Sequence, residues 1–207
     1  PSTVSATGHA ARAAQPLARR SPGSPTNEIV VLEDREEAEK LQDRLDSDDQ
    51  AAVLVLARKL MLSKDVEVRS QVVGALGWIG IKALPELSAL LSDESEEIVA
   101  EAFQRWKEAV DEVSDEAMKG QLLVAGMQAL KGQDDLEACA MEFNSLPDDI
   151  AVRGLLTVIQ SSNPIASEVA RGHYAFVTGN AYTTPADAEK WITENVEPPA
   201  VGQPVPK

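Results

Sequence analysis

The chain has 207 residues, 43% apolar and 26% charged, so it is long and apolar enough to bury a core. Its 34 Asp and Glu against 19 Lys and Arg give a formal net charge of −15, which argues against nucleic acid or an anionic membrane as a partner. No run of about 18 apolar residues is present, so we expect no membrane-spanning segment. A single cysteine excludes an internal disulfide and any CxxC site.

Charge and proline divide the chain into three parts. Residues 1–27 contain three arginines, no acidic residue and sixteen Ala, Ser, Pro or Gly, so they predict a flexible basic arm. Residues 197–207 hold four prolines and predict an extended tail. Residues 28–196 carry 33 acidic and 15 basic side chains, a net charge of −18, and are the expected folded domain.

Helical periodicity runs through the folded region, whereas strand-type alternation does not. Residues 29–32 are the one plausible strand, and no partner strand is evident. Residues 51–57 are apolar on every side, so that helix is expected to be covered on both sides. We therefore predict an all-α fold. Later apolar residues recur at helical spacing in stripes, which are Val68, Val72, Ala75, Leu76 and Ile79; Ile98, Ala102, Trp106, Ala109 and Val113; Leu136, Cys139, Ala140 and Phe143; and Val152, Leu155, Leu156 and Ile159.

Prolines inside the folded region mark the predicted helix starts. Proline suits the first helical turn because its missing N–H would have no intrahelical partner there. Short helices joined by short breaks favour antiparallel pairs. The four prolines at these starts are Pro85, Pro147, Pro164 and Pro185.

One segment is repeated along the chain. Residues 62–69 are echoed by residues 91–99 and, more weakly, by residues 146–153. The unit at residues 62–93 resembles a HEAT repeat of the short bacterial, PBS-lyase type. In that family an acid and a Val-Arg pair open the first helix, as Asp65 and Arg69 do here.

The same family closes its first helix with Ala-Leu-Gly-x-x-Gly, as residues 75–80 do, and opens the second with Leu-Pro-x-Leu, as residues 84–87 do. Val99 stands where the next unit usually has Arg, which interrupts the expected arginine ladder. The resemblance implies a short right-handed α-solenoid, an α–α superhelix of antiparallel helix pairs with extended N- and C-terminal tails. Residues from about 165 to 196 are similar to closing segments of HEAT-like arrays and are expected to cap the domain.

Residues suited to catalysis are scarce. His9 lies in the arm, and His173 has no evident partner base or acid, so we interpret His173 as structural or exposed. Cys139 lies on an apolar stripe and is interpreted as a buried small hydrophobe. No catalytic residue, cofactor site or metal site is predicted.

Paired aspartates precede three predicted helices. They lack the alternating ligand spacing of an EF-hand loop, and carboxylates at a helix start complement the helix dipole. We therefore interpret these residues as helix-start charges. The pairs lie at residues 48–49, 134–135 and 148–149.

Three residues are predicted to contact a partner: Trp78, Glu86 and Glu94. Trp78 lies roughly 90° from the centre of its apolar stripe, so partial exposure is expected, whereas Trp106 lies on a stripe and is expected in the core. The two glutamates are expected on the concave side of the array. Because solenoids usually bind proteins or peptides, we predict a non-enzymatic interaction or scaffold module. Its partner is expected to carry a basic patch, without nucleic acid or membrane insertion, and the oligomeric state stays open.

Other interpretations remain open from the sequence. The resemblance also implies an accessory or maturation subunit, or a lyase-like enzyme component of a bacterial complex, and a fragment of a larger envelope protein is a further possibility. Position 1 is Pro rather than Met, and the Ser/Ala/Pro-rich arm fits a processed leader. We therefore expect an exported, periplasmic protein, with a cytoplasmic location as the alternative.

Overall fold

The computed structural model describes residues 25–46 and 49–196, and these residues form helices and turns without a strand. The all-α prediction is therefore confirmed for this part of the chain. Short 3₁₀ turns, Gly80–Ala83 and Phe143–Ser145, follow the third and the seventh helix. The helices are α1 (Pro25–Asp46), α2 (Gln50–Leu60), α3 (Val66–Ile79), α4 (Leu84–Leu90), α5 (Glu96–Asp111), α6 (Glu116–Ala129), α7 (Gln133–Glu142), α8 (Asp148–Ile159), α9 (Pro164–Thr178) and α10 (Pro185–Asn195).

The first helix begins earlier than the sequence predicted. It starts at Pro25, so residues 25–27 of the predicted arm are helical, and the candidate strand at residues 29–32 is also part of α1. The sequence could not separate a strand from a helix at residues 29–32, because a short apolar run has no distinguishing period, but the all-α prediction holds for them. The rest of the predicted arm, and the predicted tail at residues 197–207, lie outside the described residues.

Side-chain caps and proline fix most helix starts. An N-cap side chain accepts a hydrogen bond from a backbone N–H of the first turn in five helices, which satisfies a donor that the helix itself leaves unpaired. Pro85, Pro164 and Pro185 lie in the first turn of their helices and Pro147 is the N-cap of α8, as predicted. The capping residues are Asp49, Asp65, Asp115, Asn163 and Thr184.

The predicted apolar stripes form the core. Every stripe residue is buried except Val113, which is partly buried against the core, and Trp106 is only 1% exposed. The prediction for α2 was wrong, because Val55 is exposed on that helix. The main contacts of α2 are with α1 and α3, so one side of the helix has no helix packed against it among the described residues.

Each helix packs mainly on helices one or two positions away in the chain. The helices α1, α3, α5, α7 and α9 contact one another in that order, and we call them the odd row. The helices α4, α6, α8 and α10 contact one another in the same way. Such nearest-neighbour packing is typical of repeat proteins, in which each unit covers the apolar face of the next.

The last helix lies on α8, and its Ala188 and Ile192 are buried. The turn before it is fixed by Thr178, whose hydroxyl donates to the carbonyl oxygen of Tyr174 at 2.8 Å, and by Gly179, which ends α9 with a φ of 70°. Glycine adopts this left-handed conformation without a Cβ penalty. The segment thereby covers α8. The helix α9 is the last one of the odd row within the described residues.

One segment of the described residues, Val66–Leu90, is long and apolar enough to cross a membrane by length and composition alone. This test does not decide whether the segment spans a membrane, so the expectation of no membrane-spanning segment stays a prediction. Half of its most apolar window is buried inside the fold, and the segment is divided into α3 and α4 by a turn in which Gly80 has a φ of 69°. Core helices pass the same test because a buried helix is apolar on several sides.

Candidate functional site

Trp78 lies on the solvent side of α3, and 55% of it is exposed. Gly74 precedes it by one helical turn, with open space where a side chain would stand, and Ile81 follows it with partial exposure. The exposure predicted for Trp78 is confirmed, and its contact with a partner stays a prediction. A tryptophan with an open neighbour offers a large apolar surface to a binding protein.

Glu86 is buried rather than presented to solvent. Only 6% of it is exposed, and its Oε1 lies 2.6 Å from the guanidinium of Arg58. The ion pair joins α4 to α2 across a part-buried contact. Glu86 is therefore not available to a partner, which corrects the sequence prediction for this residue.

Glu94 is exposed, as a partner-contact residue must be, and its carboxylate lies 3.8 Å from Arg69. Arg69 is 3% exposed and forms an ion pair with Asp93, with Nε 2.9 Å from Oδ2, while its Nη1 donates to the carbonyl oxygen of Ser63 at 2.7 Å. Trp78 lies nine residues further along α3 than Arg69, which corresponds to about 13 Å. The three predicted contact residues therefore do not form one cluster.

A groove of about 940 Å³ lies between α7 and α9, and we call it the α7–α9 groove. Three exposed apolar side chains line it: Met141 from α7 at 61% exposure, and Ile165 and Phe176 from α9, with Phe176 at 75%. None of the described residues that line this groove is lysine or arginine. Its lining residues are Gln133, Glu137, Met141, Asn144, Pro164, Ile165, Glu168, Val169, Gly172, His173 and Phe176.

His173 connects the two walls of this groove. Its Nε2 lies 3.1 Å from Oε2 of Glu137 on α7, and its Nδ1 is buried without a hydrogen-bond partner among the described residues. This partner of His173 could not be predicted from the sequence, because Glu137 lies 36 residues earlier. The pair tethers α9 to α7, which agrees with a structural interpretation of the histidine.

Cys139 lies on the buried side of α7, and its Sγ is 3.6 Å from the carbonyl oxygen of Leu123. Burial raises the pKa of the Cys139 thiol to about 12, with a further contribution from Glu142. The thiol therefore stays protonated near neutral pH and is a poor nucleophile. Its interpretation as a buried small hydrophobe is confirmed.

A second groove, of about 750 Å³, lies near the starts of α5 and α7. Val99 lines it together with acidic residues that include Asp93 and Asp135. Burial and the neighbouring Asp134 raise the pKa of Asp135. No group of three or more His, Cys, Asp or Glu among residues 25–46 and 49–196 is placed to hold a metal ion.

The paired aspartates lie at helix starts, as predicted. Asp49 caps α2, residues 134–135 lie in the first turn of α7, and residues 148–149 lie in the first turn of α8. Asp48 falls outside the described residues. These positions complement the partial positive charge of a helix start, which accounts for the acids without a bound ion.

The sequence missed the residues of the α7–α9 groove. Met141 lies off the apolar stripe of its own helix, and this displacement is the one signal from which its exposure could be predicted. The chain was also compared with protein-family models, with curated proteins and with solved structures, and none of them matches it. The HEAT-like resemblance therefore stays a prediction from the residues alone.

Proposed function

We propose that this protein is a non-enzymatic protein-interaction or scaffold module, built on residues 28–196 as a short right-handed α-solenoid of antiparallel, HEAT-like helix pairs. The order of the helix contacts supports this architecture, because a solenoid places each helix beside the helices one and two positions away. Recurring ion pairs support it as well. Arg35 pairs with Asp65, and Arg69 pairs with Asp93 one unit later.

The observation that carries the function is the distribution of exposed apolar side chains. Seven of the large ones within the described residues lie on the odd row, and two lie on even-numbered helices. Exposed apolar groups gathered on one set of neighbouring helices are typical of a protein-binding surface. The seven on the odd row are Val30, Leu32, Val66, Trp78, Met141, Ile165 and Phe176.

The competing interpretation, an accessory subunit or a lyase-like enzyme component, requires groups that transfer a proton or attack a substrate. Cys139 is buried with a raised pKa, and Glu86 is buried against Arg58. These residues serve packing and ion pairing in the fold. They support the binding proposal over the enzymatic one.

Cross-linking followed by affinity capture from an extract of the source organism tests the proposal. We expect the full chain to capture a discrete partner that the double variant W78A/F176A loses, because both changes remove apolar area from the odd row. The matched control is V55A/M118A, which removes exposed apolar area from α2 and α6 and is expected to keep the partner. Equal capture by both double variants would contradict the proposal.

A further inference from the structure

We propose that the α7–α9 groove binds an amphipathic helix of a partner protein, with apolar side chains on one face and Lys or Arg beside them. The inference rests on the proposed function, since it names the class of partner for one part of the odd row. Shape, apolar lining and charge each contribute to the choice of this occupant.

The groove has the length of a short helix. Its lining residues on α9 extend from Pro164 to Phe176, which is about 18 Å or three helical turns. A side chain built at Gly172 would meet nothing within 4 Å, so the middle of the groove is open. A helix laid along such a groove inserts side chains at i, i+4 and i+7, the spacing of three successive turns.

The apolar residues are placed to hold such side chains. On α9, Ile165, Val169 and Phe176 follow one face at helical spacing, with Val169 buried at the base and the other two exposed at opposite ends. Met141 extends the apolar surface from α7. A flexible thioether and an aromatic ring adapt to varied apolar partners, which suits a site for helix side chains.

The charged residues of the groove indicate the sign of the charge that the partner helix carries. Glu137 and Glu168 line the groove, and Glu168 is exposed and makes no hydrogen bond or ion pair within the described residues. The surrounding domain, residues 28–196, has a net charge of −18. Lysine or arginine beside the apolar face of the bound helix would meet these carboxylates, while their aliphatic stems lie along the groove.

Fluorescence anisotropy with a defined probe tests the proposal on the full chain. The probe is a labelled helical peptide of about 18 residues, with Leu on one face and Lys on the flanks, at about 150 mM salt. One control peptide has Glu in place of Lys, and another has the same composition with the leucines scrambled around the helix. We expect the first peptide to bind at least about tenfold more tightly than either control.

Variants locate the site. F176A and M141A are each expected to weaken binding of the lysine peptide about tenfold, and E168Q to weaken it less and to reduce its salt dependence. M118A, on α6, is the matched control and is expected to bind as the unchanged protein does. These side chains are exposed or partly exposed, so circular dichroism and the thermal midpoint are expected to stay unchanged, which separates lost binding from lost folding.

Three results of the peptide experiments would overturn the proposal: no binding of the lysine peptide, equal binding of the glutamate or scrambled peptide, or binding that F176A and M141A leave unchanged. A concentration-dependent dimer that F176A abolishes, seen by analytical ultracentrifugation, would also overturn it, because a second copy of the chain would then occupy the groove. A captured partner that V55A/M118A retains and W78A/F176A loses would leave the broader proposed function standing in each of these cases. The two failures are therefore distinguishable.

Discussion

Arginine–aspartate pairs join successive odd-row helices in the first half of the helix array, whereas glycines in the second half lie against buried aromatic rings. Between α1 and α3, Arg35 lies 2.5 Å from Asp65, and between α3 and α5 Arg69 lies 2.9 Å from Asp93. Each aspartate stands just before the later helix of the pair. At the next step Val99 occupies the position of the arginine, so this series of ion pairs ends at α5.

Beyond α5, two glycines make close contacts with aromatic rings. Gly126 on α6 faces the ring of Trp106, so close that an added Cβ would lie 2.6 Å from the ring atom Cη2, and Gly154 on α8 faces Phe143 in the same way. Both rings are buried. Ion pairs join helices in both halves, but within the described residues the arginine–aspartate series belongs to the first half and the close contacts between a glycine and an aromatic ring belong to the second. The comparison predicts different responses of the two halves to mutation and to pH.

The largest effect is expected from R69L. The substitution leaves Asp93 buried without its cationic partner, and removing one member of a buried pair typically costs about 3–5 kcal/mol. Urea denaturation monitored by circular dichroism measures the free energy of unfolding. R153L is the control, because Arg153 and Glu189 are both more than half exposed and their ion pair contributes at most about 1 kcal/mol. An R69L loss as small as that of R153L would remove the distinction between the halves.

A smaller loss is expected from G126A in the second half. The added methyl group collides with the rigid Trp106 ring, and overpacking a core typically costs about 1–3 kcal/mol. Differential scanning calorimetry measures the change in thermal midpoint, and tryptophan fluorescence reports on the ring. G77A in the first half is the matched control, since its Cβ would meet the flexible side chain of Arg105, which can move aside. Equal losses would show that steric fit limits both halves.

A gain in stability is expected from G74A. This glycine lies inside α3 with nothing within 4 Å of an added Cβ, and alanine in a helix interior is favoured by about 0.5–1 kcal/mol over glycine. Chemical denaturation of the variant beside the unchanged protein measures the increase in the unfolding free energy. A decrease would mean that the open space beside Trp78 is filled in solution.

The smallest effect is a difference in acid response between the halves. The hydrogen bond from Arg35 lowers the pKa of Asp65. Ionised Asp65 therefore stabilises the fold above the ordinary aspartate pKa of about 3.9, and this stabilisation is lost as the pH falls through the lowered pKa. Burial raises the pKa of Asp135, so the ionised carboxylate destabilises the fold near neutral pH. Protonation of Asp135 at lower pH removes this destabilisation.

The two substitutions D65N and D135N measure this difference. At pH 7 we expect D65N to lower the thermal midpoint and D135N to raise it, and each difference from the unchanged protein should shrink on acidification. The D135N difference should shrink first, since its pKa lies above the ordinary value and that of Asp65 below it. Differences that stay constant from pH 7 to about pH 3 would contradict both assignments.

Local features of the fold could be predicted from the sequence because they depend on neighbouring residues. The apolar stripes, the prolines and the capping aspartates each specify a helix within one or two turns of chain. The partial exposure of Trp78 followed from its angle to a single stripe. These predictions needed no knowledge of which helix lies beside which.

Features that depend on packing between distant segments could not be predicted. Glu86 looks like a surface acid at a helix start, and only the fold brings Arg58, 28 residues earlier, against it. The α7–α9 groove joins Glu137 to His173 across 36 residues, and its opening depends on the last helix covering α8 rather than α9. The coverage of α2 was predicted wrongly for the same reason, since apolar composition does not say whether a covering helix exists.

The restriction of helix contacts to near neighbours also affects how the chain folds. Contacts between segments close in sequence need little loop closure, so a protein dominated by them has a low contact order and folds quickly. Helices that have already folded offer a surface on which the next helix along the chain can pack. The same property makes opening of the array local, so helices at the two ends separate from the domain before its middle does.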